Sequence, residues 1–232
     1  VQFQLLDPDL TRRETAVAAI ARRPEAAQLI PLIGSIDGER DATLKARKIQ
    51  LANFLSARFA KDPQDRIAAI RSLSTDTSVE ARAVLNQILT KSIGVASVAP
   101  QGNIAAIIDP MVSPDSSYEA LVDAKLAPPQ QTVSDIRKAL EANIAQGRIA
   151  GFPLAQMDDH VTREAAYSAL ATQGSVPTLI TQELRDAALL SHVFYELYDE
   201  PNAQITAAAE VARHSADTRV ATAQFADLAL DA

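Results

Sequence analysis

Cysteine and tryptophan are absent from this chain, glycine occurs only 7 times, and aromatic residues make up 4% of its 232 residues. Without cysteine there is no thiol nucleophile, no disulfide framework and no cysteine-ligated metal. So few aromatics leave little of the material that strands prefer. No apolar run approaches the ~20 residues that span a bilayer; the longest are short, such as Ile104 to Ile108. Glycine-rich phosphate loops and the HExxH and GxSxG patterns are missing as well. No motif declares a reaction, so neither an enzyme nor a cofactor is expected. Val1 is neither an initiator Met nor the start of a signal-type segment, and the chain reads as a processed or excised piece of something longer.

What is present is alanine, within an ordinary globular balance of 47% hydrophobic and 22% charged residues. Alanine has the best intrinsic helix propensity and packs closely, so the composition predicts an all-α fold. The net charge of −7 is unevenly spread. Residues 1–91 carry 14 Lys and Arg against 11 Asp and Glu, whereas residues 92–232 carry 8 against 18. An acidic second half repels phosphate backbones, which argues against a nucleic-acid partner.

A helical phrase recurs at long spacing. Val17-Ala18-Ala19-Ile20 returns fifty positions later as Ile67-Ala68-Ala69-Ile70. A looser echo joins Arg163-Glu164-Ala165-Ala166-Tyr167-Ser168-Ala169-Leu170 to Arg13-Glu14-Thr15-Ala16-Val17-Ala18-Ala19-Ile20. Recurring supersecondary phrases mark stacked helical repeats, which build extended surfaces rather than enclosed pockets. Helices are expected near 11–22, 25–36, 41–58, 63–73 and 78–91. Thr11-x-x-Glu14, Thr77-x-x-Glu80 and Ser116-x-x-Glu119 read as capping boxes. Asp62-Pro63 reads as an N-cap before a proline at the first helical position.

Residues 92–115 interrupt this grammar with Gly94, Pro100, Gly102, Pro110 and Pro114, and read as a linker or crossing segment. Residues 116–232 are expected to form a smaller α-helical domain with an internal duplication, 116–146 against 165–198, at an offset of 49. Tyr118, Leu121, Pro128 and Thr132 correspond in it to Tyr167, Leu170, Pro177 and Thr181. Each Thr precedes a helix, roughly 133–146 and 182–198, and a final helix is expected from Asn202 nearly to Leu230.

Several side-chain groupings stand out. On a helix over 182–198, His192, Glu196 and Asp199 share one face at i, i+4 and i+7, a spacing able to hold a metal. No second histidine at ligand spacing supports that reading, so a solvated face is favoured and no metal site is assigned. Tyr195, Tyr198 and Glu200, with Glu196 and Asp199, make an acidic–aromatic patch in that helix's last turn. Carboxylates there oppose the helix dipole; a protein contact through Tyr195, Tyr198 and Glu200 would offset the cost, and an exposed last turn beginning to fray is the equal alternative. Asp158-Asp159-His160 resembles a proton relay but precedes a helix start near Thr162, where acidic residues cap. Arg12, Arg13, Arg22, Arg23, Lys45, Arg47 and Lys48 form a basic strip whose acidic neighbours make it read as a solvated face.

The segment Lys61–Leu89, KDPQDRIAAIRSLSTDTSVEARAVLNQIL, resembles HEAT-like repeats of bacterial proteins: Asp-Pro-x-x-Arg, an apolar-Ala-Ala-apolar phrase, then a second helix. Arrays of this flavour are similar to the extracytoplasmic N-terminal region of urea-type ABC transporter permeases, in the branched-chain amino-acid permease family. The second half, with YSALATQGSVPTLIT and HVFYELYDEPNAQITAAAE, looks like the segment that precedes the first membrane helix there. The resemblance implies a HEAT-like array, an α-solenoid, over residues 1–91, followed by the smaller helical domain. It also implies a non-catalytic assembly role on the extracytoplasmic side of a bacterial inner membrane. The partners it implies are transporter subunits and a solute-binding protein, with a membrane span following the QFADLALDA end. A soluble HEAT-like adaptor is the alternative.

Overall fold

The computed structural model describes residues 3–98, 100–149 and 151–230. The fold is mostly helical, with ten α-helices and one small sheet among the described residues. Two compact units divide the chain: Val1–Ser92 with Leu197–Ala232, and Ile93–Glu196. The first is therefore discontinuous, and the long last helix belongs to it.

In the first unit, α1 (Leu10–Arg22), α2 (Leu29–Gly34), α3 (Ala42–Phe59), α4 (Pro63–Ser72) and α5 (Val79–Ile88) fall close to the expected positions. The recurring phrase works through its ends. Val17 and Ile20 of α1, and Ile67 and Ile70 of α4, all enter one apolar core. That core also holds Ile205, Ala209 and Ala212 of α10 (Ala203–Leu230), which packs on α4 and α5. The small Ala209 and Ala212 let α10 approach closely. The spacing of buried apolar residues on α10, at 205, 209, 212 and 216, is helical, as the unbroken stretch after Asn202 predicts.

Three expected capping boxes are displaced. The side-chain caps are Asp9 and Ser78 rather than Thr11 and Thr77, and α6 (Pro114–Asp123) starts after Ser113, which makes no side-chain cap, rather than after Ser116. Asp9 accepts from the Thr11 amide at 2.8 Å, so Thr11 lies inside the first turn. Asp62, Thr132 and Thr181 cap as read from the sequence.

The second unit holds α6 (Pro114–Asp123), α7 (Val133–Ala145), α8 (His160–Thr172) and α9 (Gln182–Leu190). The first of these packs on the last, and α7 packs on α8. Two separate cores result. Ile136, Leu140, Ala166, Tyr167 and Leu170 form one, and Tyr118, Leu121, Leu189 and Phe194 the other. Gln131 accepts a hydrogen bond from the Ile180 amide at 3.3 Å, joining residues 49 apart. Gly147, with φ +68°, closes α7 in the left-handed region that costs glycine least.

The helical expectation holds for most of the chain, with one addition. Strands β1 (Lys91–Ala96), β2 (Ile104–Ile108) and β3 (Val193–Tyr198) form a three-stranded sheet in the order β1-β3-β2. Two of these strands occupy the presumed linker. The third takes the second half of the helix expected over 182–198, which stops at Leu190. Val193-Phe194-Tyr195-Glu196-Leu197-Tyr198 fits a helical stripe, but its aromatic and β-branched residues suit a strand better. A central strand needs partners on both sides, and these come from far away in sequence.

Gly94 of β1 shows how closely the strands meet. A Cβ there would sit 2.5 Å from Cζ of Tyr195, whose ring lies over the glycine. Gly94→Ala is expected to cost about 1–3 kcal/mol through overpacking and to shift Tyr195. In a protein without tryptophan, tyrosine fluorescence during urea unfolding reads both effects.

Candidate functional site

The loss of the second half of the 182–198 helix removes the premise of two groupings. His192 follows the end of α9, and its Nδ1 lies 2.7 Å from the Ala188 carbonyl. Glu196 is four residues farther on, along an extended strand whose rise per residue is about twice that of a helix, so the one-turn spacing no longer brings the two together. Asp199 lies beyond the end of β3. Among the described residues, no group of three or more His, Cys, Asp or Glu is arranged to hold a metal.

Tyr195, Tyr198 and Glu200 are not a helix's exposed last turn. Tyr195 is half-buried against Gly94. Tyr198 is buried, its hydroxyl donates to Glu210, and the Lys91 ammonium stands 5.3 Å from its ring centroid. Glu200 is ion-paired with Arg66 at 2.6 Å, both side chains mostly covered. The dipole cost that motivated a partner contact disappears, because the carboxylate lies on no helix C-terminus and already has an internal cation.

Asp159 caps α8 by accepting from the Thr162 amide at 2.9 Å, and that bond is the first cause holding its carboxyl below the usual range. The neighbouring His160 pairs with Glu164 at 2.9 Å on an exposed helix face. Asp158 pairs with Arg137 at 3.1 Å. These three residues cap and pair; no relay geometry links them.

The basic strip is divided by the fold. Arg12, Arg22 and Arg23 are exposed, but Lys48 is fully buried and Arg13 is mostly covered. Both cations converge on Glu39. Arg13 donates to it twice, Nε to Oε2 and Nη2 to Oε1, each at 3.0 Å. Lys48 Nζ lies 2.9 Å from Oε2, and the Asp41 amide donates to Oε1 at 3.1 Å. The two remaining donors of Lys48 reach the carbonyls of Leu5 at 3.0 Å and Ser35 at 3.2 Å. A buried charge is tolerated only when every lone pair and proton finds such a partner.

Burial by itself would raise the Glu39 pKa. Hydrogen bonds from Arg13, Lys48 and the Asp41 amide outweigh that and hold it at about 2. A carboxyl that is more acidic folded than unfolded stabilises above its unfolded pKa and loses that contribution as pH falls. Stability contributed by Glu39 should therefore decline between about pH 4.5 and about pH 2. Urea midpoints of the native chain and of Glu39→Gln, followed across that window, should converge as pH falls; parallel profiles would contradict the assignment.

A second feature was missed in the sequence, although its signal is plain once the caps are known. Five helices carry arginine at their fourth position, four residues after the cap: Asp9/Arg13, Asp62/Arg66, Ser78/Arg82, Asp159/Arg163 and Thr181/Arg185. A cation in a first turn opposes the helix dipole, so the position requires compensation. Side chains on a helix tilt toward its N-terminus, which aims the Arg13 and Arg163 guanidinium groups at the incoming chain, whereas Arg185 pairs with Asp115 of α6. Arg13 Nη1 donates to the carbonyls of Asp7 at 2.8 Å and Pro8 at 3.0 Å. Arg163 Nη1 donates to the equivalent pair, Met157 at 3.3 Å and Asp158 at 3.0 Å. Arg66 Nε reaches the Ala57 carbonyl at 3.2 Å, in the preceding helix. None of the five is exposed.

The first unit also has an apolar groove of about 790 Å³ lined by residues of α2, α3 and α4, including Leu29, Ile33, Phe59 and Ala69. Ile30, on its rim, is 81% exposed. No helix among the described residues is long and apolar enough to cross a membrane. No protein-family model matches this chain, and no match exists among curated proteins or solved structures.

Proposed function

We propose that this chain is a non-catalytic interaction and assembly domain of HEAT-like helix pairs. In this reading it is the extracytoplasmic domain of an ABC transporter permease for urea, short amides or branched-chain amino acids. The cap-x-x-x-Arg helix start carries the proposal. Its recurrence in α1, α4, α5, α8 and α9 supports a chain built from one repeated helix-entry unit. Such units are suited to presenting surface, and the exposed Ile30 and Ile33 beside their groove fit a protein-contact role. The urea-type permease assignment rests on the Lys61–Leu89 phrase and on the segments after it.

An antibody raised against this chain tests the assignment by fractionation of source cells. The expected result is a membrane-bound polypeptide well above 24.8 kDa. A soluble polypeptide near 24.8 kDa would overturn the permease reading and leave a HEAT-like adaptor.

A further inference from the structure

We propose that the N-terminal strap, the 3-10 turn Phe3–Leu6 with Asp7 and Pro8, is locked shut by the single carboxylate of Glu39 acting through Arg13 and Lys48. The strap's carbonyls at Leu5, Asp7 and Pro8 accept hydrogen bonds from these two side chains. Neither side chain belongs to the strap, and both are held in place by Glu39. Arg12, 69% exposed, adds a surface pair to the Asp7 carboxylate at 3.4 Å, a contact of little weight. Beneath the tethers, Leu5 is 1% exposed and forms part of the first unit's core, whereas Leu6 is 66% exposed. One buried leucine and one charge cluster thus close the strap over the core.

Removing the Glu39 charge leaves two cations facing each other, with Lys48 buried and uncompensated. Lifting the strap admits water to both and relieves them, at the cost of exposing Leu5. The elements farther along, α4 and α5, make no use of the cluster. Glu39 therefore acts as the pin of a local latch in addition to the stability it lends the unit.

The cysteine-free chain permits a direct test with single thiol reporters in the whole protein. One reporter is Leu5→Cys beneath the strap, and the control is Ile70→Cys, fully buried in α4. Reaction of each thiol with an aromatic disulfide reagent is timed with and without Glu39→Gln. The Leu5→Cys thiol should react at least about a hundredfold faster when Glu39 is changed, in keeping with the loss of one partner from a buried charge cluster. The Ile70→Cys rate should rise far less, by no more than the global loss of stability read from the urea midpoint allows. Adding Lys48→Met to Glu39→Gln removes the stranded ammonium and should slow the Leu5→Cys reaction again. An unchanged Leu5→Cys rate, an equal acceleration at Ile70→Cys, or no recovery in the double variant would each overturn the latch.

Discussion

Lys48→Ala should destabilise the first unit by about 3–5 kcal/mol, the range seen when a buried charge pair loses one partner. Lys48 sits on the apolar stripe of α3, between Leu44 and Leu51, and is fully buried. Its truncation removes three interactions together: the contact with Glu39 and those with the Leu5 and Ser35 carbonyls. It also removes an alkyl stem that packs in the core. Lys48→Met keeps that stem and should cost less. Lys48→Met combined with Glu39→Gln should lose less than the sum of the two single changes, because the fully buried ammonium is gone and only the partly covered Arg13 has lost its carboxylate. Guanidinium unfolding followed by far-UV circular dichroism separates these outcomes. Additive losses in the double variant would show that the ammonium and the carboxylate are not acting on each other.

Tyr198→Ala should also lower stability strongly, by about 3–5 kcal/mol, as for other large aromatic side chains emptied from a core. The ring is 7% exposed, and its hydroxyl is held by Glu210 of α10. Tyr198→Phe retains the ring and its contact with Lys91, and should cost about 1 kcal/mol for the lost hydrogen bond. As part of an exposed interaction patch, Tyr198 would be replaceable without any change in melting temperature. Thermal melts of the two variants decide between these roles. An unchanged melt for Tyr198→Ala would return the residue to the surface.

Local physics made helix starts in both units readable. Helix starts depend on a few neighbouring residues, so the Asp62-Pro63 cap and the Thr132 and Thr181 caps could be placed directly. Where several polar residues adjoin, the hydroxyl–carboxylate pattern misled: Asp9 outcompetes Thr11 for the first turn, and Ser78 outcompetes Thr77. The arginine four residues after the cap is equally local. It escaped notice because it becomes a pattern only when the caps are placed correctly.

Other features depended on partners distant in sequence. Val193–Tyr198 satisfies both a helical and an extended pattern, and pairing with strands some 90 to 100 positions earlier decides the matter. The same pairing takes His192, Glu196 and Asp199 off the single helical face they would otherwise share. Lys48 carried a warning, a cation on an apolar stripe, but its neutraliser Glu39 lies in a loop that no periodicity marks. Sequence by itself determined the helices, their caps and the amphipathic faces that bury Val17, Ile20, Ile67 and Ile70, because these follow from interactions within a few residues. Tertiary structure alone decided the sheet, the return of α10 to the first unit and the Arg13–Glu39–Lys48 cluster. Those depend on which distant groups meet, and burial makes an unmatched polar group too costly to leave without its partner.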